Sequence, residues 1–365
     1  KKLAHRIRRI VFNNDGDDTP MVPSYGSTSG DRAKARYFLE EHRAFLDAPG
    51  EFYFDTTEKD LYLIPQSTGH PDNLDIMLPV LEDIFRFQGA SFDDPVHDIE
   101  IDGLALEYTK AISPSRFWWA QEWGYTDHAL VWMNNAERNT IRNCHLKNSG
   151  RNGIMMVGQN THHLVYGCWI EQMGVNGITL SNWSAPVMDK SADAARIEHN
   201  TLSNNKIHDV GQLSIYCACI NIYSASHNEI SHSEYFSSPR YAITMRGNAV
   251  PEDFTSQTPT NTASKRPPSQ GNVFEYLRVY DCSQDSGDCG PIHAALVNRK
   301  EGPCINTFRQ ITIANAKAAP HMKDIPPDGI FLDWKGMTMH QSFANFQVLN
   351  AQNMQFRSNG SDNEI

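Results

Sequence analysis

Two unrelated landmarks in the chain repeat at one distance. Asn139-Thr-Ile-Arg-Asn-Cys144-His-Leu is echoed by His163-Leu-Val-Tyr-Gly-Cys168-Trp-Ile, and Asn152-Gly-Ile154 is echoed by Asn176-Gly-Ile178. Cys144 to Cys168 and Gly153 to Gly177 are both 24 residues apart. A shared period of this size identifies a repeat architecture, in which each unit buries its apolar side against the next. Looser echoes follow at Asn200 to Ile207, His227 to Ile230, Asn272 to Val279, Asn306 to Ile313 and Asn345 to Leu349.

The texture inside the repeat decides which solenoid this is. From about His97 onward, apolar runs of four to six residues alternate with Asn, Gly and Ser, and no long amphipathic helix pattern appears. Leucine-rich repeats share the period but require a regular Leu-x-x-Leu-x-Leu frame, which is absent here. Several short strands per coil predict a right-handed parallel β-helix, an all-β solenoid with coils stacked about 4.8 Å apart and alternate residues pointing inward. Asn stacked at the corners would satisfy the turn backbone from coil to coil.

The segment before the repeats reads differently. Ala33 to Phe45 has apolar residues near helical spacing, and Pro49-Gly-Glu-Phe-Tyr-Phe-Asp55 and Leu61-Tyr-Leu-Ile-Pro65 flank the polar turn Thr56-Thr-Glu-Lys-Asp60, which predicts a β-hairpin. The expected organisation is an entry segment over 1–96, with a short helix and a hairpin, followed by the parallel β-helix over 97–365.

Composition narrows the partners. With 32 basic against 43 acidic residues the chain carries −11, which repels phosphate backbones and argues against nucleic acid. No stretch approaches the roughly 18–20 apolar residues that span a bilayer as a helix. The seven cysteines include no Cys-x-x-Cys pair, so no metal site is expected from them. They read as small buried hydrophobes, with a Cys282–Cys304 or Cys289–Cys304 bridge as the oxidised alternative. His162-His163 has no partner at metal-ligand spacing.

Five segments carry a resemblance. Arg36-Tyr-Phe-Leu-Glu40, Pro49-Gly-Glu-Phe-Tyr53, Leu61-Tyr-Leu-Ile-Pro65, Asp288-Cys-Gly290-Pro-Ile292 and Gly329-Ile-Phe-Leu-Asp333 resemble elements of right-handed parallel β-helix proteins of the glycoside hydrolase and polysaccharide lyase (pectate-lyase-like) group. Cys289 stands where that group has a small residue, and His293 where it has an aromatic. The resemblance implies a secreted or periplasmic carbohydrate-active enzyme that takes a polysaccharide or oligosaccharide and needs no cofactor. Calcium enters only with lyase chemistry.

Strand parity places the candidate residues. If Ile220, Ile222, Ile243, Met245, Ile292, Ile330 and Leu332 face the core, then Asn221, Tyr223, Thr244, Arg246, His293, Phe331 and Asp333 face out on successive coils. Glycoside hydrolysis requires one protonated and one ionised carboxyl across the bond to be cut. Asp288 and Asp333 are the first choice for that pair, with Asp285 and Asp328 as further carboxylates that also read as turn residues. Equivalent side chains one coil apart would lie about 5 Å apart, the spacing of retaining enzymes, whereas a two-coil gap of about 9.6 Å suits inversion. Glu234, Tyr235 and Arg240, read as lying at a corner between coils, join His293, Arg246, Tyr223 and Asn221 as candidate substrate binders. The alternatives are a lyase, using Arg246, Arg240, Tyr223 or His293 around a uronate, and a non-catalytic glycan-binding solenoid.

Overall fold

The computed structural model describes residues 42–66, 71–74, 76–111, 128–182, 196–247, 269–286, 289–295, 304–319, 327–333, 342–350 and 356–358. The chain divides into two compact units, one of residues 1–78 with 116–118 and one of 79–115 with 119–365. Among the described residues there is no α-helix.

In the first unit the expected hairpin is present. Phe52–Phe54 pairs antiparallel with Leu61–Leu63, so that Phe52 faces Leu63 and Phe54 faces Leu61. The turn forms because the Asp55 carboxylate accepts the N–H groups of Thr57 and Glu58 at 2.8 and 3.0 Å. Most of the expected helix lies outside the described residues, and at its end Arg43–Phe45 forms a 3-10 turn.

The second unit is a parallel β-helix. One sheet stacks Phe85–Gln88, Ala129–Glu137, Asn152–Thr161, Ile178–Ser181, Ala218–Tyr223, Tyr241–Arg246, Ile292–Ala295, Ile330–Asp333 and Phe356–Ser358 in that order, all parallel. Its first strand, Phe85–Gln88, precedes residue 97, where the sequence reading begins the solenoid. In early coils the second sheet receives two short strands per turn, such as Leu164–Tyr166 and Trp169–Met173. From Val273–Tyr280 onward these merge into single eight-residue strands.

The corners explain why a chain of ordinary L-residues winds this way. Among the described residues, left-handed residues mark three bends of the coil and stack in columns. The first column is Asp98, Arg138, His162, His199, His227 and Gly271. The second runs from Gly103 through Asn143, Gly167 and Asn204 to His232, Tyr276, Gln310 and Asn345. The third includes Asn148, Gln172, Asp209, Ser237, Asp281, Asn315 and Asn350. Gly, Asn, Asp and His tolerate this backbone best, which accounts for the polar punctuation read in the sequence.

Inside the coils, Val131, Ile154, Ile178, Ile220, Ile243, Ile292 and Ile330 form one apolar column, and Met133, Met156, Leu180, Ile222, Met245, Ala294 and Leu332 form the next. Each fully buried side chain of this size contributes about 2 kcal/mol from removal of apolar surface from water.

A polar ladder runs beside this core. The backbone N–H of each member donates to the side chain of the next: Asn139 to His163 Nδ1 (3.0 Å), His163 to Asn200 (2.9 Å), Asn200 to Asn228 (3.1 Å), Asn228 to Asn272 (3.0 Å) and Asn272 to Asn306 (3.0 Å). It satisfies corner donors that the sheet cannot reach. The landmark glycines have a packing cause. A Cβ at Gly177 would lie 2.4 Å from Ile207 Cγ2 and 2.5 Å from the Cys219 carbonyl.

All seven cysteines are free and buried, so neither the Cys282–Cys304 nor the Cys289–Cys304 bridge is formed. Burial pushes the Cys168, Cys217 and Cys282 thiols up to about 12, and they act as core hydrophobes.

Candidate functional site

The outward face of the first sheet gathers most of the residues expected there. Register aligns Thr179, Asn221, Thr244, His293 and Phe331 in one column and Ser181, Tyr223, Arg246, Ala295 and Asp333 in the adjacent one. Although they point away from the core, Asn221, Tyr223, Thr244, Arg246, His293 and Phe331 are buried.

His293 is the centre of the cluster. Its Nδ1 lies 2.9 Å from Thr244 Oγ1 on the neighbouring strand. Its ring stacks on Tyr241 at 4.5 Å, 20° from parallel, and meets Phe331 at 5.4 Å. Tyr216 stands edge-on to Tyr241 at 5.9 Å, and Arg246 Nη2 donates to the Tyr216 hydroxyl. The Arg240 guanidinium lies over the Tyr216 and Tyr241 rings at 4.4 and 4.9 Å, and its Nη1 donates to Ser286 Oγ at 2.6 Å. Burial raises the Tyr241 phenol well above its ordinary range, opposed by the charge of Arg240. Tyr241 therefore stays a neutral donor at physiological pH. Two guanidiniums, two phenols, an imidazole and a hydroxyl thus converge on one patch, a set able to bind hydroxyl or anionic groups and to exchange a proton.

The carboxylates are placed less completely. Asp333 ends Ile330–Asp333 in register with Ala295 and shares a column with Arg246 and Tyr223. Asp288 lies outside the described residues. Asp328 is buried, and its N–H donates to the Cys289 carbonyl at 2.9 Å. The N–H of Asp285 donates to the Pro239 carbonyl at 3.1 Å.

Glu234 corrects the sequence reading. It does not sit at a corner but opens the strand Glu234–Phe236 of the second sheet, where it pairs with Arg278 on the next coil at 2.5 Å. The corner is His232, two residues earlier. Tyr235, from the same segment, points into the core. Arg240 does reach the patch.

Tyr216 and Tyr241 were not legible as site residues. Simple alternation from Ile243 puts Tyr241 inside. The N–H groups of Ala242 and Ile243, however, both donate to the Pro291 carbonyl at 2.9 Å. This bulge adds one residue to the strand and reverses parity before it. Ala242 joins the main core, while Tyr241 packs outward on Ala218 and Cys289.

Comparison with known proteins bears on the fold. Residues 125–258 match the family model described as the right handed beta helix region. No curated protein matches the chain. A solved glycoside hydrolase superposes with a TM-score of 0.63 at 16% identity, covering 88% of this chain and 58% of its own. This chain therefore spans little more than half the length of that enzyme. The Azotobacter vinelandii mannuronan C-5 epimerase AlgE4 A-module superposes with a TM-score of 0.44 at 9% identity, over 74% of this chain and 66% of its own. Winding, corner columns and the matched family model agree that this chain folds as a right-handed parallel β-helix.

Proposed function

We propose that the chain is a carbohydrate-processing enzyme, a glycoside hydrolase whose substrate lies along the outward columns of the first sheet. The observation that carries this reading is the register that sets Asp333 in one column with Arg246 and Tyr223, beside the column of His293, Thr244 and Asn221. A sugar needs this mixture: donors and acceptors for its hydroxyls, an aromatic surface, and a carboxylate at the scissile bond. In this reading Asp333 and Asp288 form the acid pair. Mutual repulsion raises one of them into the range of a general acid. A polysaccharide or oligosaccharide substrate is consistent with a secreted or periplasmic protein.

One observation favours a second reading. Arg246 donates to the Tyr216 hydroxyl and Arg240 lies over the Tyr216 ring, and two guanidiniums on one patch would suit the neutralisation of a uronate carboxylate in β-elimination.

Product analysis on a panel of neutral and uronate polysaccharides tests both. New reducing ends without ultraviolet absorbance support hydrolysis, and an unsaturated, absorbing product supports elimination. D288N and D333N should each abolish hydrolysis while leaving the β-rich circular dichroism spectrum intact. Full activity in both variants would overturn the carboxylate assignment.

A further inference from the structure

Two histidine-rich clusters lie away from the patch, and the geometry separates them. Among the described residues, Glu171, His208 and Asp209 bring ligand atoms within 4.8 Å of one another on the second sheet. Both ring nitrogens of His208 are already engaged. The Trp169 indole N–H donates to Nε2 at 2.7 Å, which leaves the proton on Nδ1, and that proton faces Asp209 Oδ2 at 2.8 Å. No imidazole lone pair of His208 remains for an ion, and His208 is tied into a hydrogen-bond chain from Trp169 to Asp209.

The first corner column is different. His162, His199 and His227 occupy equivalent positions on three successive coils, each with a left-handed backbone, at φ of 60°, 59° and 54°. The shared backbone conformation sends all three side chains the same way. Their rings stack at 5.3 Å and 5.7 Å, 24° and 17° from parallel, and all three residues are exposed. On the preceding coil Arg138 is held by Asp98 through two bonds of 3.0 Å and also by Glu137, so its charge is compensated rather than projected at the histidines. At the other end a Cβ on Gly271 would lie 2.3 Å from His227 Nδ1, so the ring leans over bare backbone and the stripe ends there.

We propose that this stripe is a surface site for a divalent transition-metal cation, held between two adjacent imidazoles. Metal–imidazole bonds of about 2.0–2.1 Å put two ligating nitrogens on one ion no more than about 4 Å apart. Rings stacked at their present spacing close that gap by swivelling about χ2, a soft torsion, without backbone movement. The two outer rings lie two coils apart, too far to share an ion. His199 therefore belongs to both alternative pairs, and one ion binds per stripe. Imidazole ligands select borderline metals, and the order of affinity follows Ni²⁺ below Cu²⁺ and Cu²⁺ above Zn²⁺.

The test is calorimetric titration of the tag-free full chain with CuCl2, NiCl2 and ZnCl2, together with electron paramagnetic resonance of the Cu²⁺ form. Expected are one saturable site, tightest for Cu²⁺, and a nitrogen-coordinated Cu²⁺ spectrum. H199A should abolish both, and H162A and H227A should each leave weakened binding through the remaining pair. H232A, an exposed histidine at the second corner, should bind like the parent. An unmodified protein that binds none of the three ions would overturn the proposal. So would an H199A variant that binds like the parent, or an H232A variant that loses binding as H199A does. All variants alter exposed residues, and melting curves matching the parent's tie the loss to ligation.

Discussion

Thr244 Oγ1 and His293 Nδ1, on neighbouring rungs of one sheet, lie 2.9 Å apart on a face that points away from the core yet is buried. The bond fixes the imidazole plane between Tyr241 and Phe331. T244V keeps the shape and removes the hydroxyl. Loss of one buried hydrogen bond of about 1–1.5 kcal/mol should lower kcat/KM on an active glycan about tenfold, with T244S restoring most of it. Steady-state kinetics of the three proteins check this.

His163 takes the place of asparagine in the interior ladder. Nδ1 accepts from the Asn139 N–H, and Nε2 faces Asn160 Oδ1 at 3.2 Å, so both nitrogens are satisfied only in the neutral ring. Burial lowers its pKa from 6.5 to about 4. The unfolded chain therefore takes up a proton below about 6.5 that the folded chain refuses until about 4. Stability is undiminished above that window and falls as pH drops through it, by roughly 3 kcal/mol in all. H163N should be close to neutral at pH 7 and more stable than the parent at pH 4.5. Urea unfolding at the two pH values measures the difference.

Coil spacing depends on Gly177. G177A drives a methyl group into Ile207 Cγ2 and the Cys219 carbonyl, neither of which is a flexible side-chain end. The expected cost is about 3 kcal/mol, read as a lowered urea midpoint with unchanged slope.

Interior and corner asparagines should respond differently. The buried Asn228 amide accepts from the Asn200 backbone and side chain and donates to the Ile197 and Ser226 carbonyls and to Asn272 Oδ1. N228A breaks the ladder in mid-run and should cost about 3 kcal/mol or more. Asn204 is exposed at a corner with φ of 57°. N204A should cost only about 1 kcal/mol, and N204G less still. Thermal melts of the variants distinguish the two roles.

Winding was readable from the chain because its causes are local. Alternating apolar residues select strands. Asn, Gly and His at the bends accept a left-handed backbone, and the glycines at 153 and 177 mark close approach of coils. Parity followed from winding and set Asn221, Tyr223, Thr244, Arg246 and His293 on one face. The helix expected over Ala33 to Phe45 lies mostly outside the described residues.

What the sequence could not supply arises between coils. The bulge at Ala242 exists because Pro291, far along the chain, offers one carbonyl to two successive N–H groups, and it turns Tyr241 outward onto His293. Glu234 is spoken for because Arg278 sits one rung away, and Tyr216 reaches Arg246 by folding onto a strand thirty residues downstream. Periodicity states how far the chain travels before it returns, so it determined the architecture. Which side chains meet after the return depends on register and bulges set by long-range hydrogen bonds, and only the tertiary structure decided those.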